Sequence, residues 1–180
     1  NNELDEAIKY YEIYVNNEDK DKKKGLNNIG CIHLKKNKPK IALDYFLKAV
    51  SFGDDKIILN NALNCYIKLR DIINVDKFYL KSKRVDENFV EFIFNKAEYL
   101  ILKNEINEAI KILEDNKDKP KFLIILLRLY FNIGQNDKGN ELLKQSKSQI
   151  KVNPELYNYL GLRSLYEGNF DDGWKYYEYR

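Results

Sequence analysis

The sequence predicts an all-α fold, a solenoid of antiparallel helix pairs, and two observations carry that reading. Small residues recur at Ala7, Ala42, Ala109, Gly139 and Gly173, each followed four positions later by a bulky one: Tyr11, Phe46, Leu113, Leu143 and Tyr177. Val75 and Tyr79 fill the remaining slot, so successive steps are 35, 33, 34, 30 and 34 residues, the range of helical repeats. Residues four apart share one face of a helix, which makes each pair part of a packed stripe. The second observation lies upstream of these pairs. Leu26, Ile29 and Gly30 with His33, and Tyr157, Leu160 and Gly161, have the apolar spacing of an amphipathic first helix. A glycine or alanine there (Gly30, Ala97, Gly161) lets two helices approach closely.

Each element follows from local chemistry. Residues 1–16 read as a lone second helix, and five complete pairs follow at 22–52, 56–84, 88–116, 120–149 and 154–180. Pro39, Pro120 and Pro154 suit the first turn of a helix, where a missing N–H costs nothing, and Asn153 is placed to cap the helix opening at Pro154. Gly134 and Gly168 fit the left-handed residue that ends a helix. The stretch NNEDKDKKKG, 16–25, reads as a polar loop. Leu63 and Leu127 stand at the small first-helix position and Val75 at the small second-helix position, so the second and fourth pairs are expected to be held further apart. Asn1 in place of an initiator Met is expected of a piece of a longer protein.

These positions resemble those of the tetratricopeptide repeat (TPR) family, across essentially all 180 residues. The family places an aromatic or Leu, then Leu-Gly, then Tyr on helix A, and Ala then Phe on helix B; His33 stands where Tyr is usual. The resemblance implies a right-handed superhelical solenoid, a single TPR array over 1–180, whose A helices line a concave groove able to hold an extended peptide. Two residues before Gly30, Leu63 and Ala97 stand Asn28, Asn61 and Asn95. In the family this position faces the groove, and the column resembles the asparagine ladder of the O-linked N-acetylglucosamine transferase superhelix. An amide both donates and accepts, so it can pair with a peptide bond whatever the peptide's side chains. The column ends there, with Ile125 and Tyr159 at the matching later positions. Asn64, Glu98 and Arg128 are further groove candidates one turn away, with Asn27 and Asn60 alongside. Their mixed charge does not match the Lys/Arg-rich carboxylate clamp of chaperone-tail-binding TPRs.

The last eleven residues hold five aromatics. Gly173 and Tyr177 occupy helix-B packing positions. Trp174, Tyr176 and Tyr179 instead predict a terminal interface for another helix, domain or chain, because a solenoid end buries its face only against a neighbour. The phrase from Gly168 through Gly173-Trp174 to Tyr177-Glu178-Tyr179-Arg180 is similar to the last repeat ahead of bacterial glycosyltransferase-type domains. That likeness implies a second role, the targeting arm of a larger enzyme. Head-to-tail self-association as a scaffold is a third.

Charge is high and balanced, 31 basic against 28 acidic residues for a net of +3, which gives no general drive toward nucleic acid or anionic lipid. Eight lysines lie between 20 and 40, yet Glu18, Asp19 and Asp21 flank them and no aromatic interleaves them, so a solvated face is the reading. The apolar runs 89–102 and 122–131 are helix-length and broken by charge, as buried A helices are, and no segment predicts a membrane span. No secretory leader pattern opens the chain, and Cys31 and Cys65 read as free thiols, which together predict a cytoplasmic protein. His33, the only histidine, has no second histidine or clustered carboxylate set to orient it. No phosphate loop, paired-carboxylate motif or metal spacing is present. The sequence thus predicts no cofactor, no metal and no catalytic residue, and a protein or peptide as partner.

Overall fold

The computed structural model describes residues 2–17, 21–146 and 153–177. Among these residues it is built of eleven α-helices and no strand. In chain order they are α1 (Asn2–Asn16), α2 (Lys22–Lys35), α3 (Pro39–Val50), α4 (Lys56–Leu69), α5 (Ile72–Val85), α6 (Val90–Leu102), α7 (Ile106–Glu114), α8 (Pro120–Asn132), α9 (Asn136–Gln145), α10 (Pro154–Tyr166) and α11 (Phe170–Tyr177). The chain divides into two compact units, Asn1–Ala109 and Ile110–Arg180.

Local chemistry sets the boundaries. Pro39, Pro120 and Pro154 each open a helix, and Asn153 Oδ1 accepts from the Leu156 amide at 3.0 Å. Asp21, Asp55 and Asp71 cap α2, α4 and α5 in the same way. A short acceptor satisfies amides that have no partner inside the helix. The turn that follows each first helix carries one left-handed residue: Asn37, Arg70, Asn104, Gly134 and Gly168, with φ between 53° and 81°. The two glycines were expected there. Asn37, Arg70 and Asn104 keep the same spacing but not the residue type, so a search for glycine passes over them. The loop predicted over 16–25 is shorter than expected, because Lys22–Gly25 already belong to α2. Burial of Gly25 extends the helix: a Cβ there would stand 2.6 Å from Val15 Cγ2 and 2.9 Å from Tyr14 Cδ1. Helix α1 therefore rests directly on that turn.

In the first unit, α1 packs on α2, α2 on α3, α3 on α4, and α4 on both α5 and α6. The core is continuous through Leu26, Phe46, Leu59, Leu63, Phe78 and Phe92. Gly30 shows why the small positions matter, since a Cβ would stand 2.6 Å from the Phe46 ring. Leu63 and Val75, the large residues at small positions, are both fully buried at 0% and 1% exposure. Both side chains are accommodated inside the core of the first unit. In the second unit, α8 packs on α9 and α10, and α10 on α11. Phe122, Leu123, Leu126, Leu127 and Leu156 are fully buried.

Candidate partner-binding site

Two of the three asparagines predicted to form a ladder, Asn61 and Asn95, are drawn into the solenoid itself. Asn61 Nδ2 donates to Asn27 Oδ1 at 3.0 Å, linking α4 to α2. One repeat further on, Asn95 Nδ2 donates to the Asn60 carbonyl at 2.9 Å and to Asn60 Oδ1 at 3.3 Å, linking α6 to α4. Asn60 meanwhile donates to the Lys56 carbonyl at 2.8 Å, and Asn64 donates to Asn95 Oδ1 at 3.3 Å. Helices α4 and α6 thus each offer an amide donor to the asparagine one place earlier in the register on the preceding first helix.

This corrects the predicted groove at one member. Asn95 is only 3% exposed and lies between helices. A buried amide must find partners inside the fold, and here Asn60 and Asn64 supply them. Asn61 is half-buried and shares its Nδ2 between Asn27 and Cys31 Sγ, the latter at 3.6 Å. The sequence signal for the pairing was available in the doublets Leu26-Asn27-Asn28 and Leu59-Asn60-Asn61. Reading one column at a time concealed that the two columns interlock.

Asn28 differs from both. It is half-buried, and its side chain makes no hydrogen bond among the described residues. With Asp21, Lys23, Lys24, Asn27, Asp55, Ile57 and Ile58 it lines a cleft of about 300 Å³ at the starts of α2 and α4. Asp21 and Asp55 are held there as helix caps. Lys23 Nζ reaches the Asp54 carbonyl at 3.5 Å. The cleft therefore combines carboxylate acceptors, lysine cations and the Asn28 amide. Glu98 is half-buried on α6. Arg128 is exposed on α8 in the second unit, where its charge acts on Tyr159.

At the α10–α11 end, Trp174 is 55% exposed and Tyr176 packs on Tyr157 with ring centroids 5.5 Å apart. Leu162, Tyr166 and Phe170 are also exposed. Tyr179 and the side chain of Tyr177 lie outside the described residues.

The polar chemistry elsewhere is structural in character. His33 stacks on Tyr45 at 5.4 Å and 14°, with Nδ1 buried and without a hydrogen-bond partner. Burial, and then the charges of Lys38 and Lys36, push its pKa below the ordinary histidine value. Burial pushes the Cys31 thiol up and the Cys65 thiol up to about 12, the reverse of what activates a nucleophile. Tyr99 donates to Asp76 Oδ1 at 2.9 Å and Lys103 to Asp76 Oδ2 at 3.0 Å, tying α6 to α5. The Lys103 bond holds the Asp76 carboxyl below its usual range, while burial and then Asp76 push Tyr99 up to about 12. Among the described residues, no group of three His, Cys, Asp or Glu side chains is placed to hold a metal ion, and no helix is long and apolar enough to cross a membrane.

Comparison with known proteins gives the fold a name. Residues 24–52 match the tetratricopeptide repeat family model. No curated protein matches the sequence. Among solved structures, a tetratricopeptide repeat protein from Parabacteroides merdae superposes with a TM-score of 0.81, at 16% identity over 98% of this chain and 71% of its own. A thermophilic TPR protein of Thermus thermophilus gives 0.72, at 16% identity over 87% and 88%. MamA from Desulfovibrio magneticus gives 0.55, at 18% identity over 88% and 92%. One repeat is matched in sequence to the tetratricopeptide repeat family, and the chain shares the all-α helix-pair fold of these tetratricopeptide repeat structures.

Proposed function

We propose that the chain is a non-catalytic protein-interaction module that holds an extended segment of a partner protein along α2, α4 and α6. The observation that carries this reading is the cleft at the starts of α2 and α4, with the Asn28 amide facing no internal partner. Asn61 and Asn95 take a supporting role: each clamps a neighbouring first helix and fixes the wall against which the segment lies. Asn64 and Glu98 extend the same wall. Paired donors and acceptors suit main-chain amides, so recognition depends weakly on the partner's sequence. Free thiols fit a reducing compartment, and we place the protein in the cytoplasm.

The test begins with peptides selected from a random displayed library on the full chain. Asn28→Ala is expected to weaken the selected peptides by about tenfold, equivalent to about 1.4 kcal/mol, while Lys83→Ala on α5 leaves binding unchanged. Failure to select any peptide, or equal binding by the Asn28 variant, overturns the groove. A second reading is favoured by the exposed Leu162, Tyr166, Phe170 and Trp174. In it the α10–α11 end is a terminal interface that joins the module to another helix or domain.

A further inference from the structure

One crevice, between two second helices and the first helix that separates them, is built differently in the two units. In the first unit, Leu47 and Val50 of α3 pack against the core, and Phe78 of α5 lies on the Tyr66 ring of α4 with centroids 4.9 Å apart. By the repeat register the matching residues of the second unit are Glu114, Lys117, Leu142 and Tyr130. A carboxylate, an ammonium and a smaller aliphatic chain thus replace three apolar groups, and Leu126 stands where the first unit has Ala62. The crevice does not close: a cleft of about 240 Å³ remains between the end of α7, α8 and α9.

Its lining joins an apolar floor to a balanced set of charges. Leu126 and Leu142 line it and are both buried. Tyr130, only 3% exposed, donates to Glu114, and Glu141 accepts from Gln145 Nε2 at 3.1 Å. Burial, and then the bond to Glu114, hold the Tyr130 phenol above its ordinary pKa. Lys138 Nζ stands 5.7 Å from the centre of the Tyr130 ring. Neither Lys138 nor Lys117 meets a carboxylate among the described residues.

Two ammoniums and two carboxylates cancel, so a simple anion or cation gains little from the lining as a whole. A molecule carrying both charges finds a complement for each, through charge-assisted hydrogen bonds. The volume lies below the about 300–1,000 Å³ of pockets for drug-sized ligands, which limits the occupant to a small molecule. We propose that this cleft binds a free α-amino acid with an apolar side chain. Its carboxylate meets Lys117 and Lys138, its ammonium meets Glu141 and Glu114, and its side chain rests on Leu126 and Leu142. The site lies within the second unit and is independent of the segment-binding reading of α2, α4 and α6.

Equilibrium dialysis of the full chain against radiolabelled leucine tests it, with valine, methionine and phenylalanine as further probes. Saturable binding is expected. N-acetylleucine, which lacks the ammonium, and leucinamide, which lacks the carboxylate, should each compete at least about tenfold more weakly than leucine. Lys138→Met and Glu141→Gln, both at exposed positions, should each weaken leucine by about tenfold and leave the melting temperature unchanged. Leu142→Phe restores the residue type of Phe78 and should abolish binding by filling the cleft; the two charge variants carry the test should that variant fail to fold. If none of the amino acids binds saturably, the site is overturned. Equal competition by N-acetylleucine would make it a carboxylate site, such as a peptide C-terminus uses, and equal competition by leucinamide an ammonium site; either result removes the zwitterion. Binding that survives both charge variants lies outside this cleft and defeats the proposal.

Discussion

Residues in this protein are informative where polarity and burial conflict. Asn95 is nearly inaccessible yet carries two donors and an acceptor, and its neighbours Asn60 and Asn64 match them. Asn95→Ala removes the donor and leaves Asn60 without its cross-helix partner, so urea unfolding should show a loss of about 1–3 kcal/mol. Exposed Asn140→Ala should cost a small fraction of that. Asp76 and Tyr99 make a pH-dependent tie. The Asp76 pKa is lowered by folding, so its contribution is present above the ordinary carboxylate range and fades as pH falls through the lowered value. The Tyr99 pKa is raised to about 12, so its contribution is complete below 10.0 and fades between 10.0 and about 12. The melting-temperature gap between wild type and Tyr99→Phe should therefore hold steady through neutral pH and close between those alkaline limits. A gap that stayed constant to the top of that range would remove Tyr99 from the tie.

Elements were legible in the sequence to the extent that their signals were steric. The small positions Gly30 and Ala97, the opening prolines and the capping Asn153 all appear where packing or backbone geometry admits few residue types. The cross-helix amides were less legible, because a hydrogen bond requires a direction as well as a residue. Asn28, Asn61 and Asn95 share a column, but only burial and orientation reveal that Asn95 serves the neighbouring helix. The left-handed turns fall between these cases, since their spacing is regular while Arg70 hides one of them. An arginine in that conformation carries strain of about 1–2 kcal/mol, partly offset because glycine has more freedom to lose on folding. Arg70→Gly should raise stability by about 0.5–1 kcal/mol in thermal unfolding. Asn104→Gly should yield less, because asparagine already tolerates the left-handed region. Equal gains at the two turns would contradict this account.

Across the whole molecule, stability should be graded, because each helix pair gains most of its burial from the pairs beside it. Helix α4 contributes eight buried residues, whereas in α11 the described side chains are largely exposed apart from Gly173. Native-state hydrogen exchange should find α4 amides the slowest and α11 amides among the fastest, by several orders of magnitude. Comparable protection in both would show that the array unfolds as one block. The same gradient makes the α10–α11 end the place where a bound neighbour would change exchange most.

The amide contacts also act as pins. A helix that slips by one residue along its neighbour moves about 1.5 Å and turns its side chains by about 100°, which separates Asn61 from Asn27 and Asn95 from Asn60. Apolar side chains have no such memory of alignment. At the equivalent register positions of α8 and α10 the residues are Ile124 and Tyr159, which offer no such pair of amides. The first unit is accordingly a ruler with fixed graduations, set by the amides that cross from helix to helix.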